Sequence, residues 1–159
     1  KGDTAASPVS KENLAIAKSW LASSDEYNLL VNGTAITAFP VYYQNDLALL
    51  RQSLRIVQAG TEVAEVKGKD LIPAHGLAMS RLLKTSVFST EALTYEQAIA
   101  YLRKEAIVLP PSVPKGYVLV TYKEIPLGFV KNIGNRANNL YPQEWRIRSG
   151  YLPDDIRTL

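Results

Sequence analysis

Pro110, Pro111 and Pro114 fall within five consecutive positions, and no helix runs through such a cluster, because each ring fixes φ and removes a backbone donor. Whatever follows must start afresh, and it starts as β structure. GYVLVTY (residues 116–122) is dense in β-branched and aromatic residues, residues 123–126 read as a turn, and LGFVK (127–131) reads as a second strand. Upstream of the prolines, Thr94 and Gln97 have the spacing of a capping box, with Tyr95, Ala98, Ile99 and Leu102 on one face of the helix they open. SVFSTEAL (86–93) reads as a connector into that helix.

The N-terminal part shows the same mixture of periods. Ser7-Pro8 can start a helix that carries Leu14, Ala17 and Leu21 at helical spacing. YNLLVNGTAITAF (27–39) holds two β-rich runs separated by Asn32-Gly33, a strong hairpin signal. Asn45 or Asp46 is expected to cap a short helix with Leu47, Leu50 and Leu54 on one face. RIVQA (55–59) and TEVAEVK (61–67) flank Gly60 as a second expected hairpin, ending at a turn over 68–70. Pro73 is expected to open a helix through His75, Leu77, Ala78, Met79, Leu82 and Leu83. The chain therefore reads as an α+β protein of two small subdomains joined by a helix. The expected divisions are a linker and N-terminal helix (1–24), a small α/β subdomain (25–88), a second subdomain (89–150) and a tail (151–159).

None of the 159 residues is cysteine, so disulfides, thiolate zinc sites and thiolate nucleophiles are all excluded from this chain. His75 is the sole imidazole, which leaves a metal site or a catalytic triad without its other members. No metal is expected, and no glycine-rich loop follows a strand to hold a nucleotide-like cofactor. With 47% hydrophobic residues, a net charge of +3 and no apolar run long enough to cross a bilayer, the expectation is a cytoplasmic globular protein with a polyanionic partner, not a membrane one.

The stretch GYVLVTYKEIPLGFVKNIGNRANNLYPQEWRIRS (116–149) resembles the C-terminal PUA-like domain of the Sun-type RNA cytosine-5 methyltransferases, a family that includes bacterial enzymes of the small-subunit ribosomal RNA. LRIVQAGTEVAEVKGKDLIPAHGLAM (54–79) is more weakly similar to the segment before that domain. The resemblance implies a PUA-like mixed sheet or pseudo-barrel with flanking helices in the second subdomain. It further implies a role in holding structured RNA, ribosomal or less often transfer RNA, for an S-adenosylmethionine-dependent catalytic domain N-terminal to this chain. Those enzymes attack cytosine with a cysteine thiolate. This chain has none, so it is expected to bind RNA without being an enzyme itself and to hold no cofactor of its own.

Candidate RNA contacts follow from side-chain chemistry. Lys131, Asn132, Asn135, Arg136, Asn138 and Asn139 crowd one stretch, where cations can neutralise phosphate and amides can meet sugars or base edges; asparagine and glycine also suit left-handed turns, which is the alternative reading. Arg146 and Arg148 are expected on one face of a strand, with Trp145 and Ile147 on the other, facing the core; Trp145 could instead stack an unpaired base, and the arginines could equally pair with Glu144, Asp154 and Asp155. Arg81 and Lys84, three apart on the expected helix, form a looser basic group with Lys67 and Lys69, which flank a turn. His75 is read as structural, bonding backbone or packing. Two rival functions are a protein-interaction module docking through the N-terminal helix and a small hydrolase centred on His75.

Overall fold

The computed structural model describes residues 9–150, so the Ser7-Pro8 start, Asp154, Asp155 and the tail lie outside the described residues. Helix α1 (Lys11–Ser19) is capped by Ser10, whose hydroxyl accepts from the Asn13 amide, so the start falls just after the expected proline. Its expected face holds: Ala17 and Leu21 are buried, and Leu14 packs against the same core.

Strands β1 (Tyr27–Asn32) and β2 (Ala35–Pro40) form the expected hairpin, with Asn32 paired to Ala35 across the turn. Helix α2 (Gln44–Ser53) has no side-chain cap. It needs none, because the single 3-10 turn Val41–Tyr43 runs straight into it, which leaves Asn45 and Asp46 inside the first turn. Only Leu47 of the expected leucine face is buried; Leu50 and Leu54 are exposed.

Strand β3 (Thr61–Lys67) pairs with β2 on one side and β4 (Asp70–Pro73) on the other, in the order β1-β2-β3-β4. Both of its edges are thus taken, and RIVQA forms no strand, contrary to the expected hairpin around Gly60. A bulge explains the odd pattern of β3. Ile36 pairs with Ala64 and Thr37 with Glu62, so Val63 is the extra residue and both Val63 and Ala64 are buried despite being neighbours.

The helix expected from Pro73 is also corrected. Pro73 ends β4, helix α3 spans only His75–Ala78, and the Ser80 hydroxyl caps its end by donating to the Leu77 carbonyl and accepting from the Leu82 amide. Leu83 is then drawn into a bridge with Leu21, which unwinds the rest. The junction toward the second sheet holds only the 3-10 turn Thr85–Val87 and no joining helix.

The second sheet has the order β5-β6-β7-β8, from β5 (Ser89–Ala92), β6 (Gly116–Tyr122), β7 (Ile125–Asn132) and β8 (Ala137–Asn139). β5 falls in the expected connector. It has no apolar alternation to betray it, and becomes a strand because β6 offers a free edge to which it pairs in parallel. Parallel pairing demands a long crossover, here supplied by helix α4 (Tyr95–Leu102) and the proline-rich stretch. The capping box on α4 is present in both directions. Of the expected face Ala98 is buried and Leu102 packs against the same core, and Tyr101, outside that face, is buried with them.

The central residues of β6 and β7 are apolar because they are covered on both sides, with Lys131 and Asn132 closing β7. Leu119 and Phe129 pack into the core of the first sheet, while Val118, Val120 and Val130 pack with Tyr101, Ile107 and Ala137 in a second core. The two sheets therefore share packing through alternate side chains of the same strands. The β6–β7 turn is Lys123-Glu124, with φ of 48° and 67°, a left-handed conformation that suits glycine or asparagine better. Glu124→Gly should raise stability by about 0.5–1 kcal/mol, read as a shift in the urea midpoint at unchanged m; no shift would mean that the glutamate side chain compensates.

Candidate nucleic-acid interface

The cationic side chains gather at the end of the second sheet where β6 begins and β7 ends. Lys131 lies on β7 itself and not in the loop beyond it, and its ammonium sits 2.7 Å from Oδ2 of Asp70, the first residue of β4. This ion pair brings the Gly68-Lys69 turn beside the end of β7. The hydrogen bond from Lys131 to Asp70 holds the ammonium above its ordinary pKa, and its charge also lies 5.5 Å from the centre of the Tyr117 ring. Beyond the strand, Asn135 and Arg136 are exposed. Gly134, at φ +104°, has no side chain, and the stem of Lys115 crosses the space where a Cβ would come within 2.9 Å of it. Lys115 is a cation that sequence reasoning missed, because nothing in its local pattern places it against residue 134.

Two of the expected amide contacts are structural instead. Asn132 is buried, donating to the carbonyls of Val113 and Pro114 and accepting from the Gly134 amide. All the hydrogen-bonding capacity of its side-chain oxygen and nitrogen is directed into the fold, so it tethers the proline-rich segment and is corrected as a candidate RNA contact. Asn139 donates to Tyr101 and Glu105 carbonyls and accepts from the Tyr141 amide. Asn138 is exposed.

Arg146 and Arg148 do not lie on a strand. A 3-10 turn at Gln143–Trp145 leads into an extended stretch held to α4 by the Ile147 amide on the Leu102 carbonyl. Arg103, a second missed cation, donates to the Ser149 carbonyl at 2.9 Å, so three arginines line one shallow cleft. Arg81 and Lys84 are exposed but share no helix, since α3 ends before them, and the rationale of neighbouring positions on one helical face fails. Trp145, expected in the core, is 60% exposed.

His75 packs, as expected of a structural residue. Its ring meets those of Tyr141 and Trp145 edge to face at 5.2 and 5.3 Å, and burial holds its pKa below the ordinary value. Its Nδ1 has no hydrogen-bond partner among the described residues. Among those residues no cluster of three metal-ligating side chains occurs, and no helix is long and apolar enough to cross a membrane.

Residues 88–147, which contain β5 through the 3-10 turn at Trp145, match the family described as the Methyltransferase RsmF PUA domain. This segment is a methyltransferase-type PUA domain. Curated relatives extend the likeness upstream of it. The chain is 29% identical over 138 residues to the Ribosomal RNA small subunit methyltransferase F of Enterobacter sp. (strain 638), covering 87% of this chain and 27% of that protein. It is 30% identical over 114 residues to the protein of the same name from Shigella boydii serotype 4 (strain Sb227), covering 72% and 22%. The chain thus spans about a quarter of the length of the curated relatives it matches. The PUA domain carries Lys115, Lys131 and Arg136 at one end of its sheet and Arg103, Arg146 and, one residue past the matched segment, Arg148 in the cleft against α4.

Proposed function

We propose that this chain is the RNA-binding region of an RNA cytosine-5 methyltransferase acting on ribosomal RNA, which presents structured RNA to an S-adenosylmethionine-dependent catalytic domain in the same polypeptide. The observation that carries the reading is the cationic edge on the PUA domain, where Lys131 is paired with Asp70 beside the Gly68-Lys69 turn, Lys115 lies across Gly134, and Arg136 is exposed two residues beyond that glycine. Three exposed or half-exposed cations on one edge suit a phosphate backbone, which fixes register without reading sequence. The name of those relatives supplies ribosomal RNA as the substrate class. A cytoplasmic setting accords with that substrate.

Catalysis is assigned elsewhere in the parent protein, because cytosine-5 attack by a thiolate needs a cysteine and this sequence has none. Residues 25–88 and 89–150 act as one holding unit, given that Leu119 and Phe129 of the second sheet complete the core of the first. A catalytic domain in cis is supported by an apolar surface around α2, where Tyr42, Leu49, Leu50, Leu54 and Val57 are all exposed; such patches mark contacts with a neighbour.

Filter binding of a structured ribosomal RNA fragment at several salt concentrations tests the reading. Two to four phosphate contacts should give a slope of log K against log salt between about −1.4 and −3.6. A flat response would replace RNA by a protein partner.

A further inference from the structure

The phosphate edge leaves unused a cleft of about 580 Å³ between the two sheets, lined among others by Glu62, Glu65, His75, Lys104, Glu144 and Trp145. Its size falls within the roughly 300–1,000 Å³ of ligand pockets. One wall is Trp145, a large aromatic ring left 60% exposed, and it is held in place from both sides. Before it, the Lys104 ammonium donates to the carbonyls of Asn139 and Tyr141, and the Trp145 amide donates to Pro142. After it, the Ile147 amide is anchored on Leu102. Lys104 does this from a left-handed backbone position, φ 66°, which ends α4 and would suit glycine.

The acidic groups decide what the cleft takes. Glu62, Glu65 and Glu144 outnumber Lys67 and Lys104 on the lining, and the Lys104 ammonium is engaged by two backbone carbonyls, so the interior favours a base over a phosphate. Carboxylates accept hydrogen bonds from exocyclic amino groups such as cytosine N4, and an aromatic ring stacks any base. Burial and the neighbouring Glu65 hold the Glu62 carboxyl above its ordinary pKa. Resting on the RNA-binding reading above, we infer that this cleft captures one unpaired, amino-bearing nucleobase, stacked on Trp145 with its amino edge on the carboxylates of Glu62 and Glu65, while the strand's phosphates stay on the cationic edge.

The sequence holds two tryptophans, and the other, Trp20, is buried, so emission quenching reports on Trp145. The test titrates the intact chain with single-stranded pentacytidylate and pentauridylate, which share ring size but differ in the amino group, beside filter binding of a structured ribosomal RNA fragment. Pentacytidylate should quench and bind at least about fivefold more tightly than pentauridylate. Trp145→Ala, followed by fluorescence polarisation of labelled pentacytidylate, should bind about tenfold more weakly with unchanged thermal melting. Glu62→Gln with Glu65→Gln should cut the cytosine preference below about twofold. Absent quenching, equal binding of the two oligomers, or a Trp145→Ala variant that binds as wild type would each overturn base capture. If folded RNA still binds in those cases, the RNA-binding reading survives; if folded RNA also fails to bind, both fall.

Discussion

Gly128→Ala should cost about 3–5 kcal/mol of stability. Three costs combine. The residue sits at φ +142°, outside the range that side chains favour, beside a bulge in β7 where Val120 pairs with Gly128 and Thr121 with Pro126, leaving Leu127 extra. A Cβ would lie 2.1 Å from the Tyr101 hydroxyl oxygen and 2.9 Å from His75 Nδ1, both in packed surroundings. Yielding to it would also break the bond that the Tyr101 hydroxyl donates to the Phe129 carbonyl at 3.2 Å, worth about 1 kcal/mol. Urea unfolding followed by circular dichroism measures the sum. Tyr101→Phe, which removes the closest atom, should cost about 1 kcal/mol alone and yet offset part of the Gly128→Ala penalty, a non-additivity expected of touching residues. A Gly128→Ala protein within about 1 kcal/mol of wild type would show that the close approach of Tyr101 to the strand is not what the glycine serves.

The second large effect is on RNA. Lys115→Ala, Lys131→Ala and Arg136→Ala together should weaken binding of structured RNA on the order of a hundredfold near physiological salt, and should flatten the salt slope by roughly two to three units. The loss should be uniform across RNA sequences, since phosphate contacts carry no base information. Melting should stay close to wild type, because Lys115 and Arg136 are exposed and Lys131 makes only a surface pair. Asp70→Asn supplies the opposite sign: it releases Lys131 from its carboxylate and removes a negative charge from the edge, so affinity should rise about two- to fivefold. Wild-type binding by the triple variant, or weaker binding by Asp70→Asn, would move the interface elsewhere, with the Arg103, Arg146 and Arg148 cleft next in line.

Local physics sufficed for the elements whose cause lies within a few residues. The Asn32-Gly33 hairpin, the Thr94/Gln97 capping box and the strands on either side of Lys123-Glu124 were all legible, because turn conformation and orphan amides at a helix end are set by the residues at that spot. The mixed sheet of the second half and its kinship with methyltransferase PUA domains were legible for a related reason: residues 117–120 and 127–130 are apolar runs around the Lys123-Glu124 turn and carry the Leu127-Gly128 step.

What remained depended on partners distant in sequence. RIVQA has the composition of a strand, but β2 and β4 had already taken both edges of its neighbour; STEA lacks that composition and became a strand because β6 had an edge to give. Leu83 was pulled from a helix by Leu21, and Asn132 from the surface by two carbonyls of the proline-rich segment. The same holds for the site. The sequence determines that cations and amides are plentiful in its last third, but only tertiary structure joins Lys131 to the β3–β4 turn, lays Lys115 across Gly134 and leaves Trp145 in solvent beside His75, since charge and shape complementarity act through space between strands that the chain order keeps apart.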